Sequence, residues 1–216
     1  MRFRLEPKRT MITRSFLIFA PALLLACCNT VAVKQIAGDA LPEGIEGRRF
    51  EGKWRGADGV TAVFRVKDKA SGIVEVKTRE ADGHTDTTEL ALRLLGDKLV
   101  ATAVDHGLVN ADKPGMFFRV ALAEEHLAVF LPKFDLLKDA VKNGQIAGRI
   151  QEDKFMSGPD GAQTAHKSES AVLDKFGIVE AGKLGGVFAC FEPDPSLVFV
   201  REAAPPPKPV KKHPAR

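Results

Sequence analysis

The sequence predicts a mainly β, α+β domain: an antiparallel, strongly curved sheet or partial barrel, with one or two helices late in the chain. Three observations predict it. Between residues 49 and 131, short β-favouring runs succeed one another, most with apolar and polar residues in alternation. Asp/Gly clusters separate them, as antiparallel hairpins require. Beyond residue 133 the apolar period lengthens from that of a strand to that of a helix.

The first strand is 49–55, followed by a turn at Ala57-Asp58-Gly59. Strands at 60–67, 73–79, 85–94 and 99–104 come next; in the second of these Ile73, Glu75 and Lys77 oppose Val74, Val76 and Thr78. Turns fall at 68–72, Asp82-Gly83 and Gly96-Asp97, and 105–115 makes a longer loop. Strands 116–122 and 126–131 flank Ala123-Glu124-Glu125. Phe134, Leu137 and Val141, with Leu136 and Ala140 beside them, recur at helical spacing, and Gly144 is placed to end that helix. A short strand is expected at 147–150, a Gly/Ser/Asp-rich loop at 151–167 and another short strand at 171–173. A second helix fits 179–191, where Leu184, Val187, Phe188 and Phe191 share a face, although Gly182, Gly185 and Gly186 weaken it. Pro193-Asp194-Pro195 breaks it, and 197–201 closes the domain as a strand.

The N-terminus reads differently. Arg2, Arg4, Lys8, Arg9 and Arg14 face a single acid, Glu6, and an apolar run occupies 16–26. A basic segment followed by a short apolar one is the pattern of a secretory signal peptide. The run is too short to cross ~30 Å of hydrocarbon, which takes roughly 20 helical residues. Leu24-Leu25-Ala26-Cys27 resembles the lipobox of bacterial lipoproteins. The resemblance covers the first 27 residues and implies cleavage after Ala26 and diacylation of the Cys27 sulfur. Cys28, rather than Asp, follows the modified cysteine, which in the Gram-negative pattern implies the outer membrane, facing the periplasm. Met11 to Ala26 alone makes a complete short signal. Two acyl chains anchor stably where one does not, so the mature chain needs no transmembrane helix.

The domain organisation that follows is 1–26 signal peptide, 27–47 lipidated cysteine and flexible tether, 48–201 globular domain, and 202–216 Pro/Lys-rich tail. As a flexible coil the tether spans roughly 20–25 Å. The tail, with Pro205-Pro206-Pro207, Pro209 and Pro214, is expected to stay extended. The net charge of +4 resides at the ends: the leader carries a strong basic excess, and Lys208, Lys211, Lys212 and Arg216 add theirs without an acid. The folded part is mildly acidic, which argues against a nucleic-acid surface on it.

Gly52-Lys53-Trp54 resembles the Gly-x-Trp of lipocalins. That resemblance implies a Trp54 that plugs the closed end of a barrel, with Arg201 of the last strand packing across it. The chain departs from the family in having no tyrosine, hence no Thr-Asp-Tyr motif, and in its late helices. Read from the residues alone, Trp54 is a core anchor of a β-sheet. A ligand pocket, if present, is expected to be lined by Phe64, Val74, Phe118 and Phe130.

No catalytic set stands out. Gly-x-Ser-x-Gly and His-Glu-x-x-His are absent, and the five histidines are scattered in loops, strand ends and the tail. Asp105-His106 is the acid–imidazole neighbour pair worth naming, but adjacent strand positions face opposite ways. Asp135 and Asp139 suit a helix start better than a carboxylate pair. Cys190 reads as a small buried apolar residue, with a disulfide to Cys28 as the alternative. No cofactor or metal is expected. The leading expectation is a non-enzymatic, membrane-anchored envelope lipoprotein that binds a partner protein or polymer, with Lys208, Lys211 and Lys212 as a cationic contact. The alternative is a lipocalin-like carrier of a small apolar ligand.

Overall fold

The computed structural model describes residues 29–41, 47–57, 59–109, 112–157 and 164–203. Eight antiparallel strands form a closed barrel. They are β2 (Gly52–Gly56), β3 (Thr61–Asp68), β4 (Ile73–Arg79), β5 (Thr85–Leu95), β6 (Lys98–Val104), β7 (Gly115–Leu122), β8 (His126–Phe130) and β11 (Leu197–Arg201). Seven follow one another as a meander. The last, β11, returns to pair with both β8 and β2, and β6 pairs with β7, which closes the ring. Closure removes every exposed sheet edge from these strands, so the expected partial barrel is a complete one.

Alternation along each strand sends one set of residues inside. Trp54, Phe64, Val74, Val76, Leu90, Leu92, Phe118, Val120, Leu127, Val129 and Phe199 make the interior core. The neighbours of these residues on the outer face, among them Val100, Phe117 and Phe130, belong to a second core. That core lies between the outer barrel wall and an accessory layer. The layer contains β1 (Asn29–Val33), the helix α1 (Phe134–Lys142), the hairpin β9 (Gly148–Ser157) and β10 (Thr164–Leu173), the short helix α2 (Ile178–Lys183) and a 3-10 turn, Phe188–Cys190. Phe117 bridges it, 5.0 Å from Phe176 and 5.9 Å from Phe191 between ring centroids.

The accessory layer corrects three expectations. The stretch read as a tether carries β1, which pairs in parallel with β10 and antiparallel with the start of β7. Val31, Val33 and Ala37 are buried there, so the folded body includes Asn29–Val33, ahead of residue 48. Asn29-Thr30-Val31-Ala32-Val33 is short and its pairing partners are more than 80 residues away, which gives local periodicity little to register. The loop expected at 151–167 is largely the β9–β10 hairpin, a ladder of ten residue pairs from Thr164↔Ser157 to Leu173↔Gly148. Polar ladders are held by backbone hydrogen bonds, and composition alone does not reveal them. The second helix stops at Lys183 because Gly185 and Gly186 take φ of 90° and 100°, values that end a right-handed helix. Residues 49 and 50, expected in the first strand, belong to a 3-10 turn, Gly47–Phe50.

Gly115 is required where β6 and the loop after it crowd the start of β7. A Cβ there would lie 2.2 Å from the carbonyl oxygen of Ala103 and 2.5 Å from Cγ1 of Val109. The absence of a side chain lets β7 start close against β6 and the loop that follows it.

Candidate functional site

Two places carry the features that a binding protein of this shape would use: the barrel interior with its plug, and an outer face around the β5–β6 turn.

The plug is built from the chain just before β2 and the end of β11. Trp54 is fully buried, and its indole N–H donates to the carbonyl of Phe50 at 2.8 Å. Phe64 meets the indole edge-on at 6.4 Å, a favourable aromatic geometry. The guanidinium of Arg201 lies 4.5 Å over the Trp54 ring and donates to the carbonyl oxygens of Arg49 and, at 3.4 Å, Glu51. One arginine thus ties the last strand to the turn that precedes the first barrel strand. Glu202 reinforces the same seam by pairing with Lys53 at 2.7 Å and Arg55 at 2.6 Å. Hydrogen bonds from Lys53 and Arg55 hold its carboxyl below the ordinary pKa. Arg201 thus packs across the face of Trp54.

Above the plug the interior is nearly full. Its free volume is about 10 Å³, lined entirely by apolar side chains, among them Phe50, Phe64, Val74, Phe118, Leu127 and Phe199. That is room for about one water, with no polar group to hold it. Three of the four residues expected to line a pocket, Phe64, Val74 and Phe118, face it. Phe130 does not: Val129 takes the inward position on β8, and strand alternation turns Phe130 into the outer core.

The outer face centres on Arg119. This residue is 8% exposed on the outward side of β7. Its guanidinium stacks 3.5 Å from the Phe130 ring centroid and 5.2 Å from that of Phe188. The Nε is buried without a hydrogen-bond partner. Burial lowers its pKa, and among the described residues no carboxylate pairs with it. Lys98 approaches the same Phe188 ring at 4.8 Å. Phe188 itself is 61% exposed, as are Ile178 at 48% and Val179 at 64%. Gly96, in the turn between β5 and β6, lies against Ile178, so these residues share one side of the molecule. Sequence reasoning placed Phe188 in a helix face and missed Arg119; a cation among alternating apolar residues of one strand was the available signal.

Elsewhere the expected weak candidates stay apart. His106 takes a positive φ of 50° and is 90% exposed, 3.7 Å from Asp105, which instead pairs with Lys113 at 2.6 Å. Lys138 pairs with Glu169, which raises its pKa, and Asp135 and Asp139 on α1 add smaller support to its charge. Cys190 is buried and free, its thiol directed to the Gly186 carbonyl, with burial pushing its pKa up to about 11. Among the described residues no group of three or more His, Cys, Asp or Glu could hold a metal ion, and no helix is long and apolar enough to cross a membrane. Ala26, Cys27, Lys208, Lys211 and Lys212 lie outside the described residues.

Neither a protein-family model nor a curated protein sequence matches this chain.

Proposed function

We propose that this protein is a lipid-anchored, non-enzymatic binding module of the cell envelope that engages its partner through its outer surface. The observation that carries this reading is the filled barrel. A site for a drug-sized ligand needs roughly 300 Å³ or more, whereas the interior leaves about 10 Å³. Binding capacity then falls to the outside, where Ile178, Val179 and Phe188 present apolar surface beside Lys98 and Arg119. Apolar side chains around a poorly exposed arginine are the composition of a binding hot spot. The partner that fits is an envelope protein or polymer offering an acidic group flanked by apolar surface. The leader supports the location: Cys27 ends a lipobox-like segment, and acylation there would hold the body at the membrane.

A photoreactive residue in place of Phe188, in cells, tests the binding surface. A discrete adduct that disappears when Arg119→Leu is added supports the reading; adducts unaffected by Arg119→Leu would remove it. The anchor has its own test. Cys27→Ala should abolish acyl-chain labelling and leave the membrane fraction.

A second reading has one observation in its favour. A closed eight-stranded barrel with a Trp54–Arg201 plug and a wholly apolar interior is the scaffold of a lipocalin-like carrier. It would apply if the core side chains part around a slender ligand. Titration with a long-chain fatty acid, read through the single tryptophan, decides it: saturable quenching at micromolar ligand supports a carrier.

A further inference from the structure

On β7, Arg119 stands opposite Val100 of β6 and Phe130 of β8, and its same-face neighbours along the strand are Phe117 and Ala121. All four are apolar. The side chain is more than nine-tenths buried, and its Nε has no hydrogen-bond partner among the described residues. Burying a charge is costly unless an opposite charge or hydrogen bonds answer it, and among the described residues no carboxylate pairs with this one. Lys98, the other cation against Phe188, is already answered: its Nζ lies 2.5 Å from Oδ2 of Asp97. The two cations together therefore carry one uncompensated charge. The cover over that charge is thin on one side. Phe188, its ring 5.2 Å from the guanidinium, is itself 61% exposed and follows Gly185 and Gly186, whose φ of 90° and 100° few other residues adopt. Swinging this ring aside sacrifices little buried area and uncovers the guanidinium.

We infer that Arg119 receives one carboxylate, carried by an acidic side chain of a partner polypeptide and flanked there by apolar residues. The inference rests on the outer-surface reading above and names the group that this surface recognises. One uncompensated cation matches a monoanion; a phosphorylated side chain, at about −1.5 to −2, would bring surplus charge. The planar guanidinium offers its Nε–H and a terminal N–H as a fork, and a carboxylate accepts both with its two oxygens. Apolar residues before and after the acid would meet Phe188 on the 3-10 turn and Ile178 and Val179 on α2. A carboxyl at a chain end brings apolar neighbours from one direction only.

Fluorine NMR on the full-length protein in lipid nanodiscs tests this, with empty discs correcting for partition into lipid. The probes are three peptides that carry a fluorinated phenylalanine. One is leucine-glutamate-phenylalanine capped at both ends, the second is its glutamine counterpart, and the third is a leucine-phenylalanine dipeptide with a free carboxyl end. The glutamate peptide should bind roughly tenfold tighter than the glutamine peptide, as a hydrogen-bonded charge implies. Arg119→Leu should abolish that preference. Arg119→Lys should keep part of it, because the charge remains without the fork. Equal affinity for the two capped peptides, a preference that survives Arg119→Leu, or tighter binding of the dipeptide would each overturn the inference. If the photoreactive residue at position 188 still gave an adduct that depends on Arg119, the outer-surface reading would stand without it; loss of that adduct as well would remove both.

Discussion

Arg201 and Arg119 make the same contact in two regions of the molecule and are built to opposite ends. Each lays a guanidinium on an aromatic ring, Arg201 on Trp54 at the barrel plug and Arg119 on Phe130 beneath the accessory layer. Each also keeps a buried Nε without a hydrogen-bond partner. The terminal nitrogens differ. Those of Arg201 are spent on the carbonyls of Arg49 and Glu51, so it closes a seam. Among the described residues no acid pairs with Arg119, and its outer ring, Phe188, is mostly in solvent. A stacked arginine whose terminal nitrogens are spent on backbone carbonyls is a structural tie, whereas one stacked at the edge of an apolar patch suits recognition.

The sharpest way to break the comparison is at the plug. Trp54→Ala should cost about 4 kcal/mol in denaturant unfolding, because it removes the largest fully buried side chain of the interior core. A loss below about 1 kcal/mol would mean that the barrel does not depend on its plug.

Next come the arginines. Arg201→Leu should lose about 2 kcal/mol, since it leaves two carbonyls unmatched and removes a cation over an indole. Arg119→Leu should fall within about 1 kcal/mol of the parent, or stabilise it, because an apolar side chain replaces a poorly solvated charge. Equal losses in the two variants would erase the distinction.

Cys190 separates the regions by pH. Its thiol lies in the outer core, and burial raises its pKa to about 11. Below the ordinary thiol range, folded and unfolded chains are both protonated and the group contributes nothing. As pH rises towards 11 the unfolded chain ionises first, so stability falls by about 1.4 kcal/mol per pH unit. Cys190→Ala should flatten this part of the pH–stability curve measured in urea, while Trp54→Phe should leave it in place.

The smallest effect belongs to Glu202. Its depressed carboxyl pKa contributes stability above the ordinary carboxylate range, and that stability is lost as pH falls through the folded value. Glu202→Gln should therefore lower the melting temperature slightly at neutral pH and not at acidic pH. High salt should shrink the difference, because the pairs with Lys53 and Arg55 are near the surface.

Legibility in the sequence followed the range of the interactions. Strands β3 to β8 announced themselves because each pairs with its neighbour in sequence, and Asp/Gly turns mark the joints. Trp54 and Arg201 were legible as a pair through the Gly-x-Trp resemblance, although nothing local in the chain brings them together. β1 was not legible. Its partners, β7 and β10, lie far along the chain, and in a segment of small residues Val31 and Val33 offer too short a period to separate a strand from a coil. Phe130 was misplaced for a related reason: in a run as apolar as Leu127-Ala128-Val129-Phe130, alternation alone does not say which residues face inward.

The sequence by itself determined the β class, the hairpin order, the first late helix, the aromatic at the plug and the basic, apolar leader, because these rest on local propensity and short-range pairing. Only the tertiary structure decided that the sheet closes, that the interior fills to about 10 Å³, that Arg119 is stacked on Phe130, and that Asn29–Val33 joins the sheet. Those outcomes depend on how side chains from distant strands share one volume and on which distant strand takes an open edge. Neither quantity is carried by any single stretch of the chain.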